Sequence, residues 1–351
     1  MKNFYSKKRV LVTGHTGFKG SWLCRMLHVM GSEVFGYALE PPTDPSLFKI
    51  LDVDNYVTSK ISDITDFDSL SNFYEQVKPD IVFHLAAQPL VKEGYNNPKG
   101  TYHTNVMGTV NILECVRLYG AKSFLNVTTD KVYDNIEDLN HLYSENERLD
   151  GFDPYSNSKS CSELVTHSYT RSFPNLCPLS TARAGNVIGG GDFAADRIVP
   201  DCVRAAIASK EVILRNPNSV RPYQHVLEPL YSYLMIAMEQ FNDPKFSGNY
   251  NIGPENKDCI TTGQIADLFC RYWGDGLRWK SIDANGPHEA NYLKLDNTKM
   301  KSVFGIAPMW DVSTAVDKTV EWTKAWIDGK DIIGFTDTQI REYLEGRNVC
   351  V

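Results

Sequence analysis

The sequence predicts an α/β protein: a doubly wound parallel sheet in the first half and a smaller mixed domain towards the C-terminus. Three observations carry this expectation. Short apolar runs alternate with amphipathic stretches through the first half, the pattern of parallel strands joined by helical crossovers. The runs are apolar on both faces, as strands are when helices cover a sheet on each side. Beyond residue 186 the alternation fades, and proline and arginine become more frequent. A chain of 351 residues accommodates two domains of ordinary size. They are expected at 1–185 and 186–351, with some segments of the second returning to the first.

In chain order the strand-like runs are RVLVTG (9–14), EVFGYAL (33–39), DIVFHLAA (80–87), SFLNVTT (123–129) and LSTARAGNVIG (179–189). A third strand of the series precedes ISDITD. The clearest helix is TYHTNVMGTVNILECVRLYG, where Val106, Val110, Leu113 and Val116 fall on one face. Near the end, AVDKTVEWTKAWIDGK spaces Val316, Val320 and Trp322 as a helix packed on the core, and REYLEGRNVCV reads as a loosely held end.

Composition bounds the function. With 42% apolar and 23% charged residues the chain is ordinary for a soluble globular protein. A net charge of -7 argues against a nucleic-acid partner, although a local basic cluster can still grip phosphates. The eight cysteines show no C-x-x-C pair and no spacing that suggests a disulfide frame or a metal site. They read as free thiols in a reducing compartment. The start, MKNFYSKKRVLVTG, passes into a strand without an apolar leader core, and no apolar run reaches membrane-spanning length. The expectation is a cytoplasmic protein with no membrane partner.

The first chemical motif is TGHTGFKG, which sets Gly14, Gly17 and Gly20 between a strand and a helix. The strand turns sharply at Gly14, and a diphosphate approaches the backbone closely only where no Cβ intervenes. The helix that follows offers free N–H groups and the positive end of its dipole. Strand, loop and helix come in the order of a Rossmann-type dinucleotide site. A dinucleotide is the expected cofactor, NAD or NADP being left open by these residues, with candidate contacts from Gly14, Thr16, Gly17, Phe18 and Gly20, from Asp63 and Ile64, and from Leu85, Ala86 and Ala87; NAD is what the family resemblance given below implies. At the usual ribose position Ala38 replaces an acid, and no arginine stands ready for a 2′-phosphate. Glu40 is close but shifted, and reads equally as a loop charge. Asp63 can accept from the adenine amino group or can cap a helix.

The second motif is YSNSK, Tyr155 to Lys159. Four residues apart on a helix, the ammonium lies beside the phenol and is expected to lower its pKa towards neutrality. A phenolate there takes a hydroxyl proton as hydride leaves for a nicotinamide. Alone, Y-x-x-x-K is usually a solvated helix face.

TGHTGFKGSWL, HLAAQPLV, TNVMGTVN, DPYSNSKSCSELV, RAGNVIGGGD, RIVPD, RPYQHVLEPL and PHEANYLKLD together resemble the extended short-chain dehydrogenase/reductase family. Within it they resemble the nucleotide-sugar 4,6-dehydratases, in particular the branch acting on CDP-glucose. The likeness implies a Rossmann-type fold with a nucleotide-sugar-binding C-terminal domain, a homodimer or dimer of dimers, and a lyase. Tyr155 and Lys159 would serve oxidation at C4 of the hexose. Thr129, Asp130 and Lys131, in LNVTTDKVYD, would respectively bond the 4-oxygen, protonate the 6-oxygen and act as base at C5. Neighbouring groups in a tight loop can reach adjacent carbons of one ring. Asp130 must then be protonated and Lys131 neutral, which one proton shared by a coupled pair reconciles. A plain ion pair at a loop is the alternative.

The resemblance implies substrate contacts from Gln88, Asn186, Arg197 and Arg221, the arginine fork suiting paired diphosphate oxygens. Arg215 joins them or is a surface charge. His225 and His288 sit in family-like motifs and read better as structural histidines. Lysine after the aspartate favours CDP-glucose over dTDP- or GDP-linked sugars, where glutamate follows. The chain departs from the CDP-glucose branch in EDLNHLYSENE, which lacks tryptophan, in RPYQH for RPWQH, and in a shortened SFPNLCPLSTARAGN. An epimerase or simple 4-dehydrogenase would yield a product that keeps its 6-oxygen. A noncatalytic dinucleotide-binding regulator would usually have lost the tyrosine or the lysine.

Overall fold

The computed structural model describes residues 1–282 and 292–349. Among them are twelve strands: β1 (Arg9–Thr13), β2 (Glu33–Ala38), β3 (Val57–Ile61), β4 (Ile81–His84), β5 (Ser123–Val127), β6 (Leu179–Ala184), β7 (Asn186–Ile188), β8 (Val212–Leu214), β9 (Val220–His225), β10 (Asn249–Ile252), β11 (Cys259–Thr261) and β12 (Trp279–Ser281). A seven-stranded sheet has the order β10-β6-β5-β4-β1-β2-β3, every pairing in it parallel. Period-two alternation sends Val10, Val12, Ile81, Phe83, Leu125 and Val127 into one core. Leu11, Val82 and Phe124 enter a second core on the opposite face. Both faces are therefore buried under helices, as the doubly apolar runs predict. The strand order reverses between β1 and β4, which opens a crevice at their carboxyl ends.

The run 179–189 is two strands, not one. β6 stays in the large sheet, whereas β7 joins a three-stranded sheet of order β11-β9-β7. Gly185 lies at the change of direction because a Cβ there would sit 2.5 Å from Pro222 Cγ and 3.2 Å from Asp130 Oδ2. A third core gathers Val199, Cys202, Val203, Val212, Ile265, Phe269, Val316 and Val320. Segments of the second half return to the first core: β10 extends the large sheet beyond β6, and Leu227, Leu230 and Leu234 of the helix Leu227–Asn242 pack beneath it.

Two helical expectations need correction. The stretch around TNVMGTVN is interrupted by one wide π turn, His103–Met107, before the helix Gly108–Tyr119. Val106 and Val110 are only half-buried, and the packed side is Thr109, Ile112, Leu113, Cys115 and Val116. The C-terminal end is not loosely held. Ile332–Gly346 forms a helix with Ile340, Tyr343 and Leu344 in the core, and Arg347 Nη2 donates to Glu228 Oε2 at 2.8 Å. Val316, Val320 and Trp322 are buried on the helix Val312–Ile327. The cysteines among the described residues are free thiols, while His288 and Cys350 lie outside the described residues.

Candidate active site

The glycine loop sits at the switch point. Gly14 has φ +75°, and a Cβ on it would lie 2.8 Å from Ala86 N, so the ends of β1 and β4 nearly touch. A Cβ on Gly20 would lie 2.2 Å from Gly14 O, which makes glycine obligatory for packing the helix Phe18–Val29 against the loop. Gly17 caps that helix in extended conformation, and Thr16 Oγ1 donates to Leu39 O at 2.9 Å. Leaving out side chains keeps backbone N–H groups accessible to a diphosphate. This cradle fits a dinucleotide. Phe18 packs on the first core and Ile64 is buried in the second. Asp63 does not cap a helix. Its Oδ1 accepts from the backbone N–H and hydroxyl of Thr65 at 2.8 and 2.9 Å, and the cap of the following helix is Asp66. Glu40 is exposed beyond β2.

Across the crevice, β5 ends and Thr129–Asp130–Lys131 begins. Asp153 caps the helix Pro154–Ser172 by accepting from the N–H groups of Tyr155 and Ser156, which sets Tyr155 in the first turn and Lys159 one turn on. Lys159 Nζ donates to Val127 O at 2.9 Å, tying that helix to the end of β5. Burial lowers the Lys159 ammonium to about 8, against the pull of Glu163. The expectation of a phenol near neutrality is not met by these residues alone. Burial pushes Tyr155 up to about 12; the Thr129 hydroxyl opposes this and the Asp130 charge adds to it. Lys159, anchored to a carbonyl, does not outweigh that desolvation.

Asp130 is buried. Its Oδ1 accepts from Thr129 Oγ1 at 3.0 Å, and Oδ2 has no hydrogen-bond partner. Burial raises its pKa, opposed first by Lys131 and then by Thr129, Arg221 and Lys19. The direction of this shift is the one an acid requires.

Of the residues expected to meet the substrate, Arg221 is buried on β9, with its charge felt at Asp130. Arg197 opens the helix Ile198–Ile207 and donates to Asp192 Oδ2 at 3.0 Å. Its charge reaches Tyr155. Asn186 begins β7, half-buried. Arg215, exposed, pairs with Asp196 at 2.8 Å. The Gln88 amide is engaged at both ends: Oε1 accepts from Leu90 N at 2.6 Å, and Nε2 donates to Leu90 O at 3.1 Å and to Thr101 Oγ1, on the helix Pro98–Tyr102, at 2.9 Å. His225 is a packed structural residue, edge-on to Trp22 and Trp310.

Sequence reasoning missed Lys19, within the glycine motif itself. Burial lowers its pKa to about 8; the charges of Arg197 and Lys159 add to this, and those of Asp130 and Asp192 oppose it. An ammonium in the first turn of a helix opposes the dipole, and that conflict was the available signal.

A glycine cradle at the switch point of a doubly wound sheet, facing a tyrosine–lysine pair, defines a dinucleotide-dependent enzyme that oxidises a hydroxyl. Residues 10–253 match the NAD dependent epimerase/dehydratase family, and the chain belongs to that family. It is 48% identical over 352 residues, 98% of each chain, to the CDP-glucose 4,6-dehydratase of Salmonella typhimurium. It is 28% identical to a probable dTDP-glucose 4,6-dehydratase of Sinorhizobium fredii, over 90% of this chain and 92% of that one. Its fold is similar to that of the dTDP-glucose 4,6-dehydratase of Bacillus anthracis, solved in complex with NAD, with TM-score 0.76, 21% identity, and coverage of 92% and 99%. The UDP-glucose 4-epimerase of Thermotoga maritima, solved with UDP-glucose, gives TM-score 0.79 at 23% identity, covering 91% and 99%.

Proposed function

We propose that this chain dehydrates CDP-glucose to CDP-4-keto-6-deoxyglucose. One observation carries the reading: a buried carboxyl, Asp130, with one oxygen unpartnered, lies beside Lys131 and within electrostatic reach of Tyr155, and burial raises its pKa. An oxidation alone has no use for such an acid. The likeness to the Salmonella relative supports the choice of sugar and nucleotide.

When bound, NAD supplies a hydride acceptor for C4 and later a hydride donor for C6, and its positive ring favours the Tyr155 phenolate. Tyr155 takes the proton of the 4-hydroxyl, and Thr129 donates to the 4-oxygen. The resulting ketone acidifies the C5 hydrogen, which Lys131 removes in its neutral form. Asp130 gives its proton to the departing 6-oxygen, so the C6–O bond breaks and one water leaves. Lys131, by then an ammonium, would return a proton to C5 as C6 receives the hydride, so that the sugar regains its C5 hydrogen and the cofactor would be left unchanged. Arg197, Arg221 and Asn186 serve the diphosphate, and Lys159 steadies Tyr155 and the cofactor ribose.

The same reading includes a cytoplasmic homodimer that supplies a deoxysugar for surface polysaccharide such as O-antigen. Met107, Leu118 and Leu164, exposed around the helices Gly108–Tyr119 and Pro154–Ser172, support a face between copies. No helix among the described residues is long and apolar enough to cross a membrane.

The test is incubation with CDP-, dTDP-, GDP- and UDP-glucose plus NAD+, followed by mass spectrometry. CDP-glucose should lose one water. A product that keeps its 6-oxygen would replace this reading with epimerisation or simple oxidation.

A further inference from the structure

Behind the reacting groups lies an ion pair with no solvent exposure. Glu163, one turn beyond Lys159, meets Arg183 of β6 with both side chains at 0% exposure. The guanidinium reaches it in a fork, Nε to Oε1 and Nη2 to Oε2, both at 2.9 Å. Each carboxylate oxygen also takes one hydroxyl: Thr128 Oγ1 donates to Oε1 at 2.5 Å and Thr181 Oγ1 to Oε2 at 2.6 Å. The spare corner of the guanidinium, Nη1, donates to Tyr133 Oη at 2.8 Å and to Glu145 O at 3.0 Å. Tyr133 Oη in turn donates to Asn251 Oδ1 at 2.6 Å.

Thr128 and Tyr133 flank the segment Thr129–Val132. One ion pair thus grips both ends of the segment that carries Asp130 and Lys131, Glu163 from the N-terminal side and Arg183 from the C-terminal side. Glu163 also shares a helix with Tyr155 and Lys159. Burying an ion pair stabilises a fold little better than apolar packing would, so stability alone does not account for its presence. A fully satisfied buried network does impose one geometry on its neighbours.

We infer that Glu163 and Arg183 are positioning residues that set the Asp130–Lys131 segment at a fixed place relative to Tyr155, and so govern water loss more than C4 oxidation. This rests on the dehydratase reading. Proper placement of reacting groups is worth on the order of 100-fold per ångström.

The test measures two steps in single turnovers with CDP-glucose and NAD+: reduction of the nicotinamide, and exchange of the C5 hydrogen with solvent deuterium together with loss of water. Glu163→Gln and Arg183→Met risk misfolding, since each leaves a buried charge unpaired. The milder Thr128→Val and Tyr133→Phe remove one hydroxyl each from opposite ends of the grip. Each should slow elimination by about 10-fold or more while nicotinamide reduction stays within about twofold. The doubly substituted protein should lose more than either alone. If both steps slow equally, or neither does, the positioning role is overturned while the dehydratase reading stands. If the wild-type chain reduces cofactor without losing water, the reading itself fails and this inference with it.

Discussion

Replacing Asp130 with asparagine separates the two halves of the proposed chemistry. The side chain is 2% exposed, and its one hydrogen bond in the structure, from Thr129 at 3.0 Å, is to an oxygen that asparagine retains. The isosteric amide therefore keeps the packing and loses the transferable proton. Loss of a positioned general acid costs about 10²–10⁴-fold, and here the cost should fall on elimination alone. Rapid mixing with CDP-glucose should show reduced nicotinamide accumulating in Asp130→Asn, because C4 oxidation continues while water loss stalls. Stability supplies a second check. Burial raises the Asp130 pKa above its ordinary 3.8, so above that pH the unfolded chain releases the proton first and the native protein loses stability as pH rises towards the folded value. Asp130→Asn escapes this loss and should melt higher than wild type at neutral pH. An unchanged elimination rate would remove Asp130 from the acid's role.

Tyr155→Phe should abolish nicotinamide reduction while CDP-glucose still binds; normal reduction would count against the base assignment. Gly20→Ala places a methyl 2.2 Å from Gly14 O, where only backbone can give way, and should weaken NAD binding measured by cofactor fluorescence by at least 10-fold. Arg347→Met leaves Glu228 buried without its cation, at a cost of about 3 kcal/mol because the N–H groups of Met309 and Trp310 still hold the carboxylate; a calorimetric melt checks this, and a melting temperature equal to wild type would show that the Arg347–Glu228 pair does not anchor the C-terminal end.

Much of the cradle was readable because its signals are local. TGHTGFKG and YSNSK each place their residues within one turn of chain, and the alternation of β1, β4 and β5 shows directly in their side chains. What escaped has polar interior faces. The helix Pro154–Ser172 buries Ser156, Ser158, Lys159, Ser160, Ser162, Glu163 and Thr166, so counting apolar positions at helical spacing finds no stripe to bury. The partners of Lys159, Ser162, Glu163 and Thr166 lie on β5 and β6, away from the helix in sequence. β10 escaped for the same reason: Asn249 and Asn251 alternate with Tyr250 and Ile252, and Asn251 is buried by donating to Tyr143 O at 2.6 Å. The C-terminal helix looked loose because its anchor, Glu228, is supplied from another helix.

That late strand has a practical meaning for anyone wishing to dissect the protein. The outermost parallel neighbour of β6 arrives only after the chain has already built β7, β8 and β9. A fragment ending near residue 185 would expose an unzipped row of amide and carbonyl groups along β6, an invitation to intermolecular pairing. The two halves of the chain are thus laced together by the polypeptide itself, and the first is not suited to being made alone.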